Sequence, residues 1–128
     1  MKTADEWIRQ SKYDYDTART LFNSRRYVYA VFFCHLAIEK ALKGIWQERH
    51  DEMPPKTHNL TFLLNESVVP MPADFEDFVH GLAQASIPTR YPETLESLQK
   101  SFRRKDVVEI LSRTKEVMRW VEKQLKKT

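Results

Sequence analysis

The chain has 128 residues, a net charge of +3, 30% charged residues of mixed sign and only two glycines. That length suits one domain over residues 1–128, able to bury roughly two-thirds of its unfolded surface without help from a disulfide or metal. Scarce glycine argues against a fold of many tight β-turns. The single cysteine, Cys34, excludes disulfide frameworks and cysteine zinc sites within one chain.

No stretch approaches the ~18 apolar residues of a membrane span. The start, MKTADEW, lacks the basic-then-apolar layout of a signal peptide, so a soluble cytoplasmic protein is expected. From Asp5 to about Phe22, Ile8, Tyr15, Ala18 and Phe22 recur at helical spacing, and Thr3 or Asp5 can cap the start. After the break NSRR, the most apolar segment runs from Tyr27 to about Arg49. Its stripe passes through Ala30, Val31, Cys34, Ile38, Leu42 and Ile45, while Phe32, Phe33, Leu36 and Ala37 extend the apolar surface around its first half. A helix apolar nearly all round must be covered on several sides. It is the central helix of a bundle, or one that also faces another subunit. Cys34, inside this run, reads as a buried small hydrophobe.

Pro54 and Pro55 end that helix. Thr57 can cap a short helix from His58 to about Glu66, with Leu60, Leu63 and Leu64 inward. Beyond Pro70 and Pro72, Phe75, Phe78, Val79 and Leu82 mark a fourth helix, which Pro88 stops. Residues 94–104 read as a helical turn followed by a loop. Asp106 with Glu109 has the pattern of a capping box, and Val107, Leu111, Thr114, Met118, Val121 and Leu125 carry a last helix to the end. The expected fold is all-α, an antiparallel bundle around one core.

Candidate chemistry is scattered along this frame. No two histidines fall at i, i+3 or i, i+4. His35, Glu39 and Lys43 share a helix face, but the lysine would oppose a cation, so a ladder of ion pairs is expected there rather than a metal site. Without a glycine-rich loop or strands, neither a phosphate loop nor a dinucleotide fold is possible, and no cofactor is expected. Lys40 and Lys43 project from the second helix. His58 stands at the predicted start of the third, where free backbone N–H groups favour an anion. Arg90 and Tyr91 lie in SIPTRYPET, whose two prolines fix the backbone. Together these five can bind a phosphate and stack a base. Each also has a plainer reading: Lys40 and Lys43 in ion pairs, His58 as a cap, Arg90 bonded to its own loop or to a carboxylate, Tyr91 packed. The end of the chain is basic, with ten Lys/Arg against four Asp/Glu over residues 100–128. That fits either an anionic partner such as nucleic acid, with strongly salt-dependent binding, or a solvated face.

The run YVYAVFFCHLAIEKALKGIW, then KTHNLTFLL, IPTRYPE and a long last helix, resembles the HEPN domain family over about residues 5–125. The resemblance implies a four- or five-helix up-down bundle that forms a homodimer. It also implies association with a nucleotide or RNA, and pairing with a small nucleotidyltransferase, sometimes as toxin and antitoxin. One departure bears on activity. Catalytic members carry an arginine, four to six residues and then a histidine on one helix, and none of the four histidines here has an arginine at that distance upstream. The leading expectation is therefore a binding protein, with Lys40, Lys43, His58, Arg90 and Tyr91 as its ligand-binding residues. The alternatives are a metal-independent endoribonuclease of toxin type and a purely structural subunit that docks a partner protein.

Overall fold

The computed structural model describes residues 3–66 and 69–125. Among them it contains six α-helices, one 3-10 turn and no strand. The helices are α1 (Ala4–Asn23), α2 (Tyr27–His50), α3 (Leu60–Glu66), α4 (Ala73–Ser86), α5 (Leu95–Lys100) and α6 (Arg104–Gln124), with the 3-10 turn at Ile87–Thr89. Lys126 and Lys127, counted above in the basic tail, lie outside the described residues.

Helix α1 starts where Thr3 Oγ1 accepts the Glu6 N–H, which satisfies one of the unpaired donors of the first turn. Arg25, in a left-handed conformation (φ 62°), turns the chain back into α2. The pair is antiparallel: Trp7 meets Gln47, and Asp14 meets Lys40. The helices approach closely at Gly44, where an added Cβ would stand 3.2 Å from Trp7 Cβ and 3.3 Å from the Ala4 carbonyl. A side chain there would have to push α1 back by a few tenths of an ångström. Asp51, also left-handed, ends α2 with its N–H on the Gln47 carbonyl, ahead of the prolines.

Helix α6 runs antiparallel to α1, with Lys12 on Glu122 and the Tyr15 hydroxyl on the Leu111 carbonyl. Helix α4 lies beside α6, with Asp74 opposite Arg113. It runs against α2: Glu66, ahead of α4, meets His50 at the end of α2, and Ser86 at the close of α4 meets His35 in the first half of α2. The four long helices thus alternate in direction, as in an up-down bundle. Helix α2 is the central one. Val31, Cys34, Ile38, Leu42 and Ile45 are all at most 1% exposed, and they share one core with Leu60 and Leu63 of α3, Val79 of α4 and Val107, Val117 and Val121 of α6. Burial also pushes the Cys34 thiol up to about 12.

Two boundaries differ from the sequence expectation, each for a local reason. Helix α3 opens at Leu60, not His58, because Asn59 Oδ1 caps the Phe62 N–H while Thr57 Oγ1 is occupied by the Asn59 N–H. His58 is therefore outside the helix, and a helix-start anion site at His58 is withdrawn. Helix α4 ends at Ser86, ahead of Pro88 as expected, and the backbone continues directly into a 3-10 turn that holds Pro88. Asp106 is not the residue before α6. The helix begins two residues earlier, and Asp106 reaches back to accept the Arg103 N–H at 3.2 Å.

Candidate functional site

The 3-10 turn at Ile87–Thr89 carries Arg90 back over the first half of α2. Thr89 Oγ1 donates to the Ser86 carbonyl, and Thr89 is itself buried, so the turn is tied down from within. Arg90 then lies over the Phe32 ring, its guanidinium carbon 5.5 Å from the ring centre. Its Nη2 rests 3.0 Å from His35 Nε2.

His35 is only 3% exposed and anchors three elements at once. Its Nδ1 meets the Ser86 hydroxyl, and its Nε2 lies 2.9 Å from the His58 carbonyl. Burial holds the ring's pKa below the usual histidine value, and the neighbouring Arg90 charge acts in the same direction, against the opposing pull of the His58 carbonyl. The ring is thus neutral. A carbonyl can only accept, so Nε2 carries the proton and donates to His58, while Nδ1 accepts from Ser86. Arg90 Nη2 and His35 Nε2–H are then both donors, and Arg90 gains no hydrogen bond from the ring. Arg90 Nε is buried and meets no acceptor either, and no carboxylate pairs with this guanidinium among the described residues.

Glu39, one turn further along α2, is also 3% exposed. Its Oε2 takes Lys43 Nζ at 3.2 Å, and its Oε1 takes His58 Nδ1 at 3.0 Å; His35 Nε2 stands 3.8 Å from Oε1. The ladder expected from the i, i+4 spacing is present, and it ends on a residue from another segment. The His58 side chain remains 67% exposed. His58, Arg90 and Tyr91 line one open cavity of about 470 Å³, whose walls are Tyr29, Phe32, Phe33 and Leu36. Tyr91 is 87% exposed and stands at the rim. His58 and Arg90 also line an adjoining cavity of about 440 Å³ that reaches His35 and Ser86.

Of the five residues singled out from the sequence, the structure brings His58, Arg90 and Tyr91 together. Lys43 joins them from behind: it is 7% exposed, covers the Trp7 ring at 5.7 Å and is neutralised by Glu39. Lys40 does not join them. It points to α1, where it pairs with the nearly buried Asp14 at 2.7 Å. Lys40 directly follows Glu39 in α2, and that single step of about 100° turns the side chain to a different neighbour. The exposed basic residues of α6 line neither cavity. Sequence reasoning missed His35, Glu39 and Ser86 as the seat of the site. The available signal was the uncovered aromatic surplus beside His35.

A model of the HEPN domain matches residues 4–124. The chain belongs to the HEPN domain family. Solved structures with the same architecture include ST0689, described as an archaeal HEPN homologue, 26% identical with a TM-score of 0.80. Another is TT1696 from Thermus thermophilus, 25% identical with a TM-score of 0.82. Each comparison covers 98% of this chain and all of the other. No curated protein matches the sequence. In this HEPN domain no group of three or more potential metal ligands occurs among the described residues, and no helix there is long and apolar enough to cross a membrane.

Proposed function

We propose that this HEPN domain binds a nucleotide or a segment of RNA in the Arg90–His58 cavity, and that it serves as the helical partner of a minimal nucleotidyltransferase, as part of a toxin–antitoxin pair. One observation carries the binding reading. Arg90 is a fixed guanidinium with unused donors, no carboxylate partner among the described residues and an aromatic-walled cavity in front of it. Such a group favours an anion, and an oxyanion of phosphate suits its planar fork. Phe32 lies beneath the guanidinium, and Tyr29 and Tyr91 offer faces for a base. Because the turn is already tied to Ser86, little order is lost on binding. The nucleotidyltransferase partner follows from the family resemblance, and a small nucleotidyltransferase in the neighbouring reading frame is the expected finding.

The test is binding of nucleoside monophosphates and short single-stranded RNA at low salt, to the wild type and to Arg90→Ala. The variant is expected to melt close to the wild type and to bind at least tenfold more weakly. Equal affinity for both proteins, or no binding to either, would overturn the reading. A second reading, a metal-independent endoribonuclease, is favoured by the Glu39–His58 contact beside Arg90, which resembles an oriented general base next to a phosphate site. RNA breakdown in EDTA that disappears in His58→Ala would put this reading first.

The second copy expected for a homodimer would border the ligand cavity, because the partly covered face of α2 is also the cavity's wall. Tyr29 is 47% exposed and Phe32, Phe33 and Leu36 are half-buried, so the apolar surplus of α2 is only partly covered. Sedimentation at micromolar concentration is expected to show a dimer.

A further inference from the structure

One end of the bundle carries cations that the fold leaves unpaired. Arg25 and Arg26 form the turn between α1 and α2, and Arg103, Arg104 and Lys105 open α6. All five are exposed, and none meets a carboxylate within ion-pair distance among the described residues; the flanking Lys100 and Arg113, by contrast, pair with Glu96 and Asp74. Phe22 draws the two segments together. Its carbonyl takes the Arg25 N–H, its ring packs on Tyr27 at 5.4 Å, and the Arg104 guanidinium carbon lies 5.0 Å from its centre. Asp106, in the first turn of α6, accepts the Arg103 N–H. Arg25 is the sharper observation. Its backbone is left-handed (φ 62°), a conformation that glycine or asparagine adopts at less cost than a long side chain. Packing does not account for an arginine at such a position, so its exposed charge has to.

We propose that Arg25, Arg26, Arg103, Arg104 and Lys105 form a track for the phosphodiester backbone of a single-stranded RNA, one nucleotide of which occupies the Arg90–His58 cavity, so that the ligand is an oligonucleotide and not a free nucleotide. The inference rests on the nucleotide-binding reading and deepens it. Track and cavity are joined along one face of α2. Arg26 and Tyr29 are three residues apart, hence neighbours on the helix surface, and Tyr29 is a wall of the cavity. Arg26 stands about 9 Å along the axis ahead of Phe32, the ring under Arg90. A single phosphate held by Arg90 cannot span that distance, whereas the next phosphates of a strand can. Tyr29, 47% exposed, lies between and offers a face to an intervening base. Four of the five cations are arginines, whose planar forks match phosphate oxygens. The positive end of α2 adds to the field, because Arg26 precedes it without a side-chain cap and no acid occupies its first turn. Arg104 is already held over Phe22, which lowers the ordering cost of binding. Contacts of this kind position a strand without reading its bases.

The experiment reads fluorescence anisotropy of a 5′-labelled single-stranded RNA of about ten nucleotides, with uridine monophosphate as competitor. The strand is expected to bind roughly tenfold more tightly than the mononucleotide and to be displaced by it, since both use the cavity. Its log Kd should rise by roughly 2–3.5 per decade of salt, about 0.7 for each of three to five phosphates. Arg25→Gly removes one cation and gives the backbone a residue it favours. That variant should melt no lower than the wild type, yet bind the strand about threefold more weakly with a slope lower by ~0.7. Adding Arg104→Gln should bring the loss to about tenfold and the fall in slope to ~1.4, with the affinity for uridine monophosphate unchanged. If Arg104→Gln disturbs folding, Arg25→Gly decides alone. A strand affinity unmoved by Arg25→Gly, an equal loss for both ligands in the double variant, or strand and mononucleotide bound at once would overturn the inference. A strand that binds no more tightly than uridine monophosphate removes this inference alone, whereas no binding by either removes the nucleotide reading beneath it.

Discussion

Replacing Glu39 by alanine tests the buried network most severely. Its carboxylate and the Lys43 ammonium belong to side chains only 5% and 9% exposed. Removing the acid strands a buried cation, a change that costs about 3–5 kcal/mol. Lys43 also covers the Trp7 ring at 5.7 Å, but a cation–π contact of ~0.5–2 kcal/mol cannot replace the lost pair. For a chain of this size each kcal/mol is worth roughly 3–4 °C, so the melting point should fall by about 9–20 °C. Urea unfolding at neutral pH, with thermal melts followed by circular dichroism, measures both. The control is Glu39→Leu with Lys43→Met, which removes the charges together and should melt at or above the wild type. A loss under about 1 kcal/mol for the single change, or a double variant as unstable as the single one, would refute the reasoning.

Three further outcomes are expected. Because His35 has its folded pKa below the unfolded value of 6.5, the unfolded chain binds a proton that the native ring refuses. Its stabilising contribution is complete above that unfolded value and is lost as pH falls below it toward the folded pKa, so stability should drop across that interval, and His35→Gln should flatten the drop. Cys34, fully buried and raised to about 12, should resist thiol reagents in the native protein and react only as fast as the chain opens. Lys40→Met should leave ligand affinity unchanged but destabilise by about 1–3 kcal/mol, since it deprives nearly buried Asp14 of its cation.

The bundle was legible because apolar spacing reports burial directly. The stripe of α2 proved to be the centre of the core, and the His35–Glu39–Lys43 ladder followed from i, i+4 geometry alone. Contacts between segments were not legible. Nothing local says that Arg90 lands on His35, fifty-five residues earlier in the chain, or that Glu39 reaches His58 across a loop. Lys40 and Lys43 look equivalent in sequence, and only the packing of α1 against α2 sends one to Asp14 and the other beneath the cavity. The helix starts at Leu60 and Arg104 were missed because capping is a competition between adjacent polar side chains. Asn59 outcompetes Thr57, and Asp106 serves from inside the helix rather than ahead of it.

The most direct measurement is an NMR titration of the intact protein with a uridine monophosphate, following the side-chain signals of arginine and histidine together with backbone amides. Saturable shifts at Arg90, His58 and Tyr91, with Lys40 and the basic face of α6 unmoved, are the predicted result. Shifts confined to α6, or none at concentrations that move any other group, would contradict a site built on Arg90.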